Sequence, residues 1–259
     1  MFDLNGKNVV YVGAFSGIGY QVAKMLMKKK ISHLIVMSRM ENMEMLQKLQ
    51  SENTSVKVTY IQVNLMDHSS MEHAVKQATG VVSNIDVLIN GAGVLADKDM
   101  ETTVGVNLMG MMTMVMLCMP YMDKQQMGHG GIVMNIASVY GLEPAPAFPV
   151  YAAAKHGVVG FTRSMGDQQH HQHTGVAFIV VCPGLTTSET ILNLREKSMW
   201  GQQSYVDEMI ETMNKAKQQT PEEVAMNMVK AMEINKTGAV YLANVGQLKE
   251  VMPTNYWHM

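Results

Sequence analysis

Tyr151 and Lys155 stand four residues apart in a stretch, Val150 to Met165, that reads as helix, so the phenol and the ammonium project from one face. Such a pair can hold and move a proton. A free tyrosine titrates near ~10, and using it as a base near neutrality means lowering that value by about three units, worth roughly 4 kcal/mol. A neighbouring ammonium is the cheapest source of that shift. A second constellation lies near the start, where Gly13-x-x-x-Gly17-Ile18-Gly19 follows an apolar strand and opens a helix. Small residues there let the backbone approach a pyrophosphate, and the helix amino terminus offers free N–H groups and a favourable dipole to the anion. The spacing alone fits an ordinary strand-to-helix turn equally well; the position after a strand is what favours phosphate.

Short apolar runs alternate with amphipathic stretches from end to end, the pattern of repeated βαβ units around a parallel sheet. Strands are predicted over Asn8 to Gly13, His33 to Met37, Lys57 to Val63, Asp86 to Asn90, Gly131 to Ile136 and Val176 to Val181, with Ala239 to Leu242 closing the sheet. Helices are predicted over Gly17 to Lys30, Asn42 to Asn53, Ser69 to Ser83, about Asp99 to Met122, Val150 to Met165, and Pro221 to Ile234 behind Thr220 as cap. Between Thr186 and Gln219 the pattern weakens, which predicts short helices and a movable segment. The fold class is α/β, a Rossmann-type doubly wound parallel sheet in a single domain. Its dinucleotide-binding part is about 1–140 and its substrate part about 138–259.

At 259 residues, 47% apolar and 16% charged, the chain can bury one sizeable core and is short for two. A net charge of -2 supplies no general field for nucleic acid or an anionic membrane. No apolar run approaches the ~18 residues of a membrane span, and Met1 to Lys7 lacks the basic start and apolar stretch of a signal peptide, so a cytoplasmic location is expected. Cys118 and Cys182 read as buried reduced thiols. Methionine is the outlier, at 28 residues. Many replace leucine or isoleucine at small cost in a core. Met43 and Met45, however, fall in a polar helix, which makes composition itself a candidate for selection. His170-His171-Gln172-His173 reads as a solvated loop without cysteine or carboxylate partners nearby, and no metal site is expected.

Further motifs follow in order: Asn90-Gly91-Ala92-Gly93 after the fourth strand, Val106-Asn107-Leu108 in the long helix, Ser138 after the fifth strand, and Pro183-Gly184-Leu185-Thr186 after the sixth. With the glycine motif and Tyr151-x-x-x-Lys155, the chain resembles the short-chain dehydrogenase/reductase family over nearly its whole length. Asp86-Val87-Leu88-Ile89, Gly130-Gly131-Ile132 and Pro149-Val150-Tyr151 resemble the insect alcohol dehydrogenases within it, and the methionine load resembles their methionine-rich fat-body branch.

The resemblance implies NAD or NADP as cofactor and an alcohol or its carbonyl as substrate, with Tyr151 taking or returning the hydroxyl proton while hydride passes to or from the nicotinamide. Lys155 would lower the tyrosine pKa and bind the nicotinamide ribose. Ser138 would hold the substrate oxygen, and Asn107 would support a water joining Lys155 to solvent. Cofactor contacts are implied at Gly13, Gly17, Ile18, Gly19, Asn90, Gly91, Ala92, Pro183, Gly184 and Thr186, with Thr187 a further candidate. It also implies a homodimer through the Asp99 to Met122 and Val150 to Met165 helices.

Two positions depart from the family's NAD-using pattern. Ser38, followed by Arg39, stands where an acidic residue would meet the adenosine ribose hydroxyls, which permits NADP. Asn64 stands in place of the aspartate that meets the adenine amino group. Two rival readings remain: a methionine-rich storage protein keeping the fold as a scaffold, and a cofactor-binding regulator without turnover. Glu143 to Pro149 would stiffen one wall of the substrate site, and the aromatic tail Tyr256-Trp257-His258-Met259 would pack on a partner near its mouth.

Overall fold

Short runs, most of them apolar, form the strands of one eight-stranded sheet in the order β3-β2-β1-β4-β5-β6-β7-β8. A computed structural model describes residues 1–187, 193–200 and 204–253, apart from the side chains of Tyr205 and Asn214. The strands are β1 (Asn8–Val12), β2 (His33–Ser38), β3 (Lys57–Gln62), β4 (Val87–Asn90), β5 (Gly131–Ile136), β6 (Val176–Pro183), β7 (Val240–Asn244) and β8 (Gln247–Glu250). All pair in parallel except β7 with β8. Order reverses between β1 and β4, so the crevice for a ligand opens at the carboxyl ends of those strands.

Helices α1 (Gly17–Lys28) and α10 (Pro221–Ile234) pack on one face of the sheet, where Val22, Leu26, Met228 and Met232 are fully buried with Tyr11. The other face is covered by α3 (His68–Val81), α5 (Met111–Cys118) and α6 (Pro149–Met165), with Met71, Met114, Cys118 and Val158 in the core. Between these lie α2 (Met43–Glu52) and α4 (Met100–Val104), and later α7 (Gln168–Thr174), α8 (Leu194–Lys197) and α9 (Ser204–Lys215). Thr220 caps α10, as the sequence predicts, and the structure adds a capping box with Glu223.

The structure corrects four expectations. The helix expected over Asp99 to Met122 is segmented: a π-helical turn, Gly105–Gly110, joins α4 to α5, and a 3-10 turn, Met119–Tyr121, ends it. A Cβ at Gly105 would meet Met66 Sδ and one at Gly110 would lie 2.6 Å from the Leu65 carbonyl oxygen, so both glycines serve close approach to the loop after β3. Met100–Tyr121 is also long and apolar enough to cross a membrane by length and composition, contrary to the sequence reading; here it packs against α3 and α6, with Met111 and Met114 inward and Met109 and Met116 exposed. His170 to His173 lie in α7, capped by the Asp167 carboxylate, with His170 Nδ1 on the Met165 carbonyl, not in a loop. Finally, β8 extends the sheet beyond Leu242. Its polar sequence and the turn through Val245 (φ 47) and Gly246 (φ 74) carry no ordinary hairpin signal, because a β-branched residue is rare at positive φ.

Cys118 and Cys182 are free and buried, as expected. The tail from Tyr256 to Met259 lies outside the described residues, as does part of the Thr186 to Gln219 segment; α8 and α9 supply its short helices.

Candidate active site

The carboxyl ends of β4, β5 and β6 and the first turns of α6 bring Ser138, Tyr151 and Lys155 to one cleft of about 400 Å³. Ile18, Gly91, Pro183, Gly184 and Thr186 line the same cleft. Leu95, Phe148, Leu185, Leu194, Met209 and Met213 give it a largely apolar wall. Ser138 begins a 3-10 turn, its hydroxyl accepting from the Tyr140 N–H at 3.2 Å, and its side chain faces the Tyr151 phenol closely enough to favour the ionised form.

Burial acts on the pair more strongly than either partner does. It pushes the Tyr151 phenol up to about 12, against the lowering effect of the Ser138 side chain; Tyr140, Asp97 and Cys182 push further upward. Burial likewise pushes Lys155 down to about 8, opposed by Cys182. The lysine ammonium donates to the Ile136 carbonyl at 2.9 Å and lies 5.5 Å from the centre of the Tyr151 ring. The expected depression of the tyrosine by Lys155 is therefore absent from these groups alone. At neutral pH Tyr151 is a protonated donor beside a lysine whose charge is weakly held.

Asn107 sits in the π turn and is 1% exposed. Its amide nitrogen donates to the Val94 and Thr103 carbonyls, both at 2.7 Å, and its oxygen accepts from the Val94 N–H at 3.1 Å. It thus anchors the loop after β4. A Cβ on Gly93 would lie 2.7 Å from Asn107 Oδ1 and 3.4 Å from Lys155 Nζ, so that glycine keeps open the space between the two side chains.

At the first crossover, a Cβ on Gly13 (φ +93) would lie 2.5 Å from the Ala92 nitrogen, and one on Gly19 would lie 2.2 Å from the Gly13 carbonyl oxygen. These glycines are required by the close passage of strand, turn and helix. Gly17 also has positive φ, at 47. Ser16 at the amino end of α1 makes no side-chain cap and the first turn holds no acidic residue, which leaves N–H donors to face an anion. The cradle therefore suits a dinucleotide pyrophosphate.

Asn90 does not line the cleft; it is buried in the sheet, donating to Asn135 Oδ1 at 2.9 Å, while Asn135 donates to Thr162. The Thr186 hydroxyl donates to the Gly184 carbonyl at 2.9 Å, and a Cβ on Gly184 would meet Asn244. Ser38, Arg39 and Asn64 stand apart from that cleft. Arg39 and Asn64 line a separate depression with Gln62, Ser70 and His73. Ser38 donates to the Met40 carbonyl, and Asn64 Oδ1 accepts from the Met66 N–H at 3.1 Å.

Sequence reading missed two residues that hold this site. Gln219 bonds Leu185 and Thr187 through its backbone, and its side-chain amide donates to Thr186 Oγ1 and the Ala243 carbonyl. Asp97 accepts from the amides of Val150 and Tyr151. Neither belongs to a motif, and only the fold brings them to these partners.

A doubly wound sheet with a glycine-lined first crossover and a tyrosine–lysine pair at its carboxyl edge is the arrangement of an oxidoreductase. The chain belongs to the short chain dehydrogenase family, whose model matches residues 7–199. It is 57% identical over 259 residues to Fat body protein 2 of Drosophila melanogaster, covering 100% of both chains. It is 40% identical over 255 residues to Alcohol dehydrogenase 1 of Ceratitis capitata, covering 98% of each. Among solved structures, a short chain dehydrogenase/reductase from Burkholderia phymatum in complex with NAD shares the fold, with a TM-score of 0.78 and 21% identity, covering 94% of this chain and 90% of that one.

Proposed function

We propose that the chain interconverts a small, largely apolar alcohol and its carbonyl, using a nicotinamide dinucleotide and Tyr151 as acid/base. The observation that carries this reading is the convergence of Ser138, Tyr151 and Lys155 on one apolar-walled cleft that also opens on Ile18, Gly91 and the Pro183 to Thr186 segment. When bound, the nucleotide supplies the hydride acceptor or donor and, in its oxidised form, a positive ring charge. Tyr151 takes the hydroxyl proton in oxidation and returns it in reduction, while Ser138 holds the substrate oxygen where negative charge develops. Lys155 holds the nicotinamide ribose. The backbone from Pro183 to Thr186 orients the nicotinamide amide, and the α1 amino terminus binds the pyrophosphate.

Ser38 and the exposed Arg39 place no carboxylate where a 2'-phosphate would lie, which supports use of NADP as well as NAD. Fluorescence titration with NADH and NADPH tests this. Both should bind, and Arg39→Ala should weaken NADPH about tenfold, close to the value of one charge-assisted hydrogen bond, while leaving NADH within about twofold. Failure of both nucleotides to bind at millimolar concentration overturns the oxidoreductase reading.

A second reading, storage of methionine by the same fold, is favoured by where the methionines stand. Met40 is 71% and Met252 69% exposed, and Met43 and Met226 also face solvent, so packing does not require them. Quantitative proteomics across development should then show accumulation to high abundance before a growth transition and depletion after it. Constant low abundance would count against storage.

A further inference from the structure

We propose that Asp97 is a positioning residue of the proton-transfer site, a cap supplied from a distant loop that fixes the first turn of the helix carrying Tyr151. This rests on Tyr151 being the acid/base. Helix α6 has no cap of its own: Phe148 at the capping position makes no side-chain bond, Pro149 has no N–H, and the first turn contains no acidic residue. The N–H groups of Val150 and Tyr151 have no acceptor within the helix, whose first internal bond runs from the Ala152 N–H to the Phe148 carbonyl. Asp97 satisfies both, Oδ2 accepting from Val150 at 2.8 Å and Oδ1 from Tyr151 at 3.0 Å. The carboxylate is 1% exposed, and these backbone donors and the positive end of α6 take the place of a cation.

The loop bearing Asp97 is fixed on both sides. Asn107 holds Val94 by its N–H and its carbonyl, while the Ala96 carbonyl accepts from the Thr103 hydroxyl at 2.7 Å and the Asp99 N–H at 2.8 Å. Asp99 in turn caps α4 through the Thr102 N–H. A rigid path therefore runs from the π-turn asparagine to the backbone of the tyrosine. The groups facing Tyr151 are Lys155 on α6, Tyr140 and Ser138 on the turn after β5, Cys182 on β6, and Asp97. Asp97 contributes negative charge and raises the phenol pKa, so it orients the tyrosine and also opposes its ionisation.

Asp97→Asn keeps the shape but removes the charge and one of the two acceptors. Hydrogen exchange of the Val150 and Tyr151 amides should accelerate at least about tenfold, since Asp97 is their acceptor among the described residues. Turnover should fall about 10- to 100-fold in kcat with little change in KM, as expected for a displaced catalytic group. The acid limb of kcat/KM should move to lower pH by about half a unit with the loss of the carboxylate, which simple misfolding would not produce. If Asp97→Asn does not fold, Asp97→Ser is read in the same way. Unchanged exchange at both amides, with wild-type turnover, overturns the role of Asp97 and leaves Tyr151 in place. A wild-type chain that binds nucleotide but turns over no alcohol or carbonyl removes the acid/base reading, and this role with it.

Discussion

Tyr151→Phe should lower turnover of alcohol or carbonyl at least about 1000-fold, equivalent to about 4 kcal/mol in the barrier, while NADH affinity changes by less than about threefold. The phenol is the group whose hydroxyl the Ser138 side chain meets in the cleft, and Lys155, which donates to the Ile136 carbonyl, does not replace it. Removing one oxygen creates no cavity, so the fold should survive with little loss of stability. Single-turnover kinetics on a panel of small alcohols checks this. Retention of more than about a tenth of the wild-type rate would show that another group moves the proton.

Lys155→Met should abolish most turnover and yet stabilise the protein at pH 7. The lysine is 4% exposed and held down to about 8 from an ordinary 10.5, so the folded state carries the cost of its charge. That difference corresponds to roughly 3 kcal/mol below pH 8, reduced by about 1 for the bond lost to Ile136. A gain of about 2 kcal/mol at pH 7 is expected. The sign follows from proton binding: between about pH 8 and 10.5 the unfolded chain binds a proton that the folded chain does not, so wild-type stability rises with pH relative to the variant. Urea unfolding at pH 7 and pH 10 should therefore show the advantage shrinking towards zero. An advantage that grows with pH would mean that Lys155 is not held below its ordinary value.

Burial causes the second effect and sets the protonation state of the group removed in the first. The cleft buries a phenol and an ammonium without pairing them, so each is driven towards its neutral form. Stability is given up where the chemistry is placed, a common cost of a preorganised site.

Much of this was legible in the residues. Alternation of apolar runs and amphipathic stretches determined the doubly wound sheet, because the periods of strand and helix are fixed by backbone geometry. The spacing of Gly13, Gly17 and Gly19 determined the tight first crossover, and the four-residue spacing of Tyr151 and Lys155 put them on one helical face. Capping of α10 by Thr220 was also local. Tertiary structure decided the rest. The π turn holding Asn107 is bounded by Gly105 and Gly110, which pass against the loop after β3, a contact between distant segments. The direction of the tyrosine pKa was missed because the sequence shows the neighbouring ammonium but not the desolvation that outweighs it. Asp97 lies 54 residues from Tyr151 and carries no motif. Hydrophobic periodicity and spacing act along the chain and can be read from it; burial, charge balance and the capping of one helix by another loop depend on which distant groups the fold brings together.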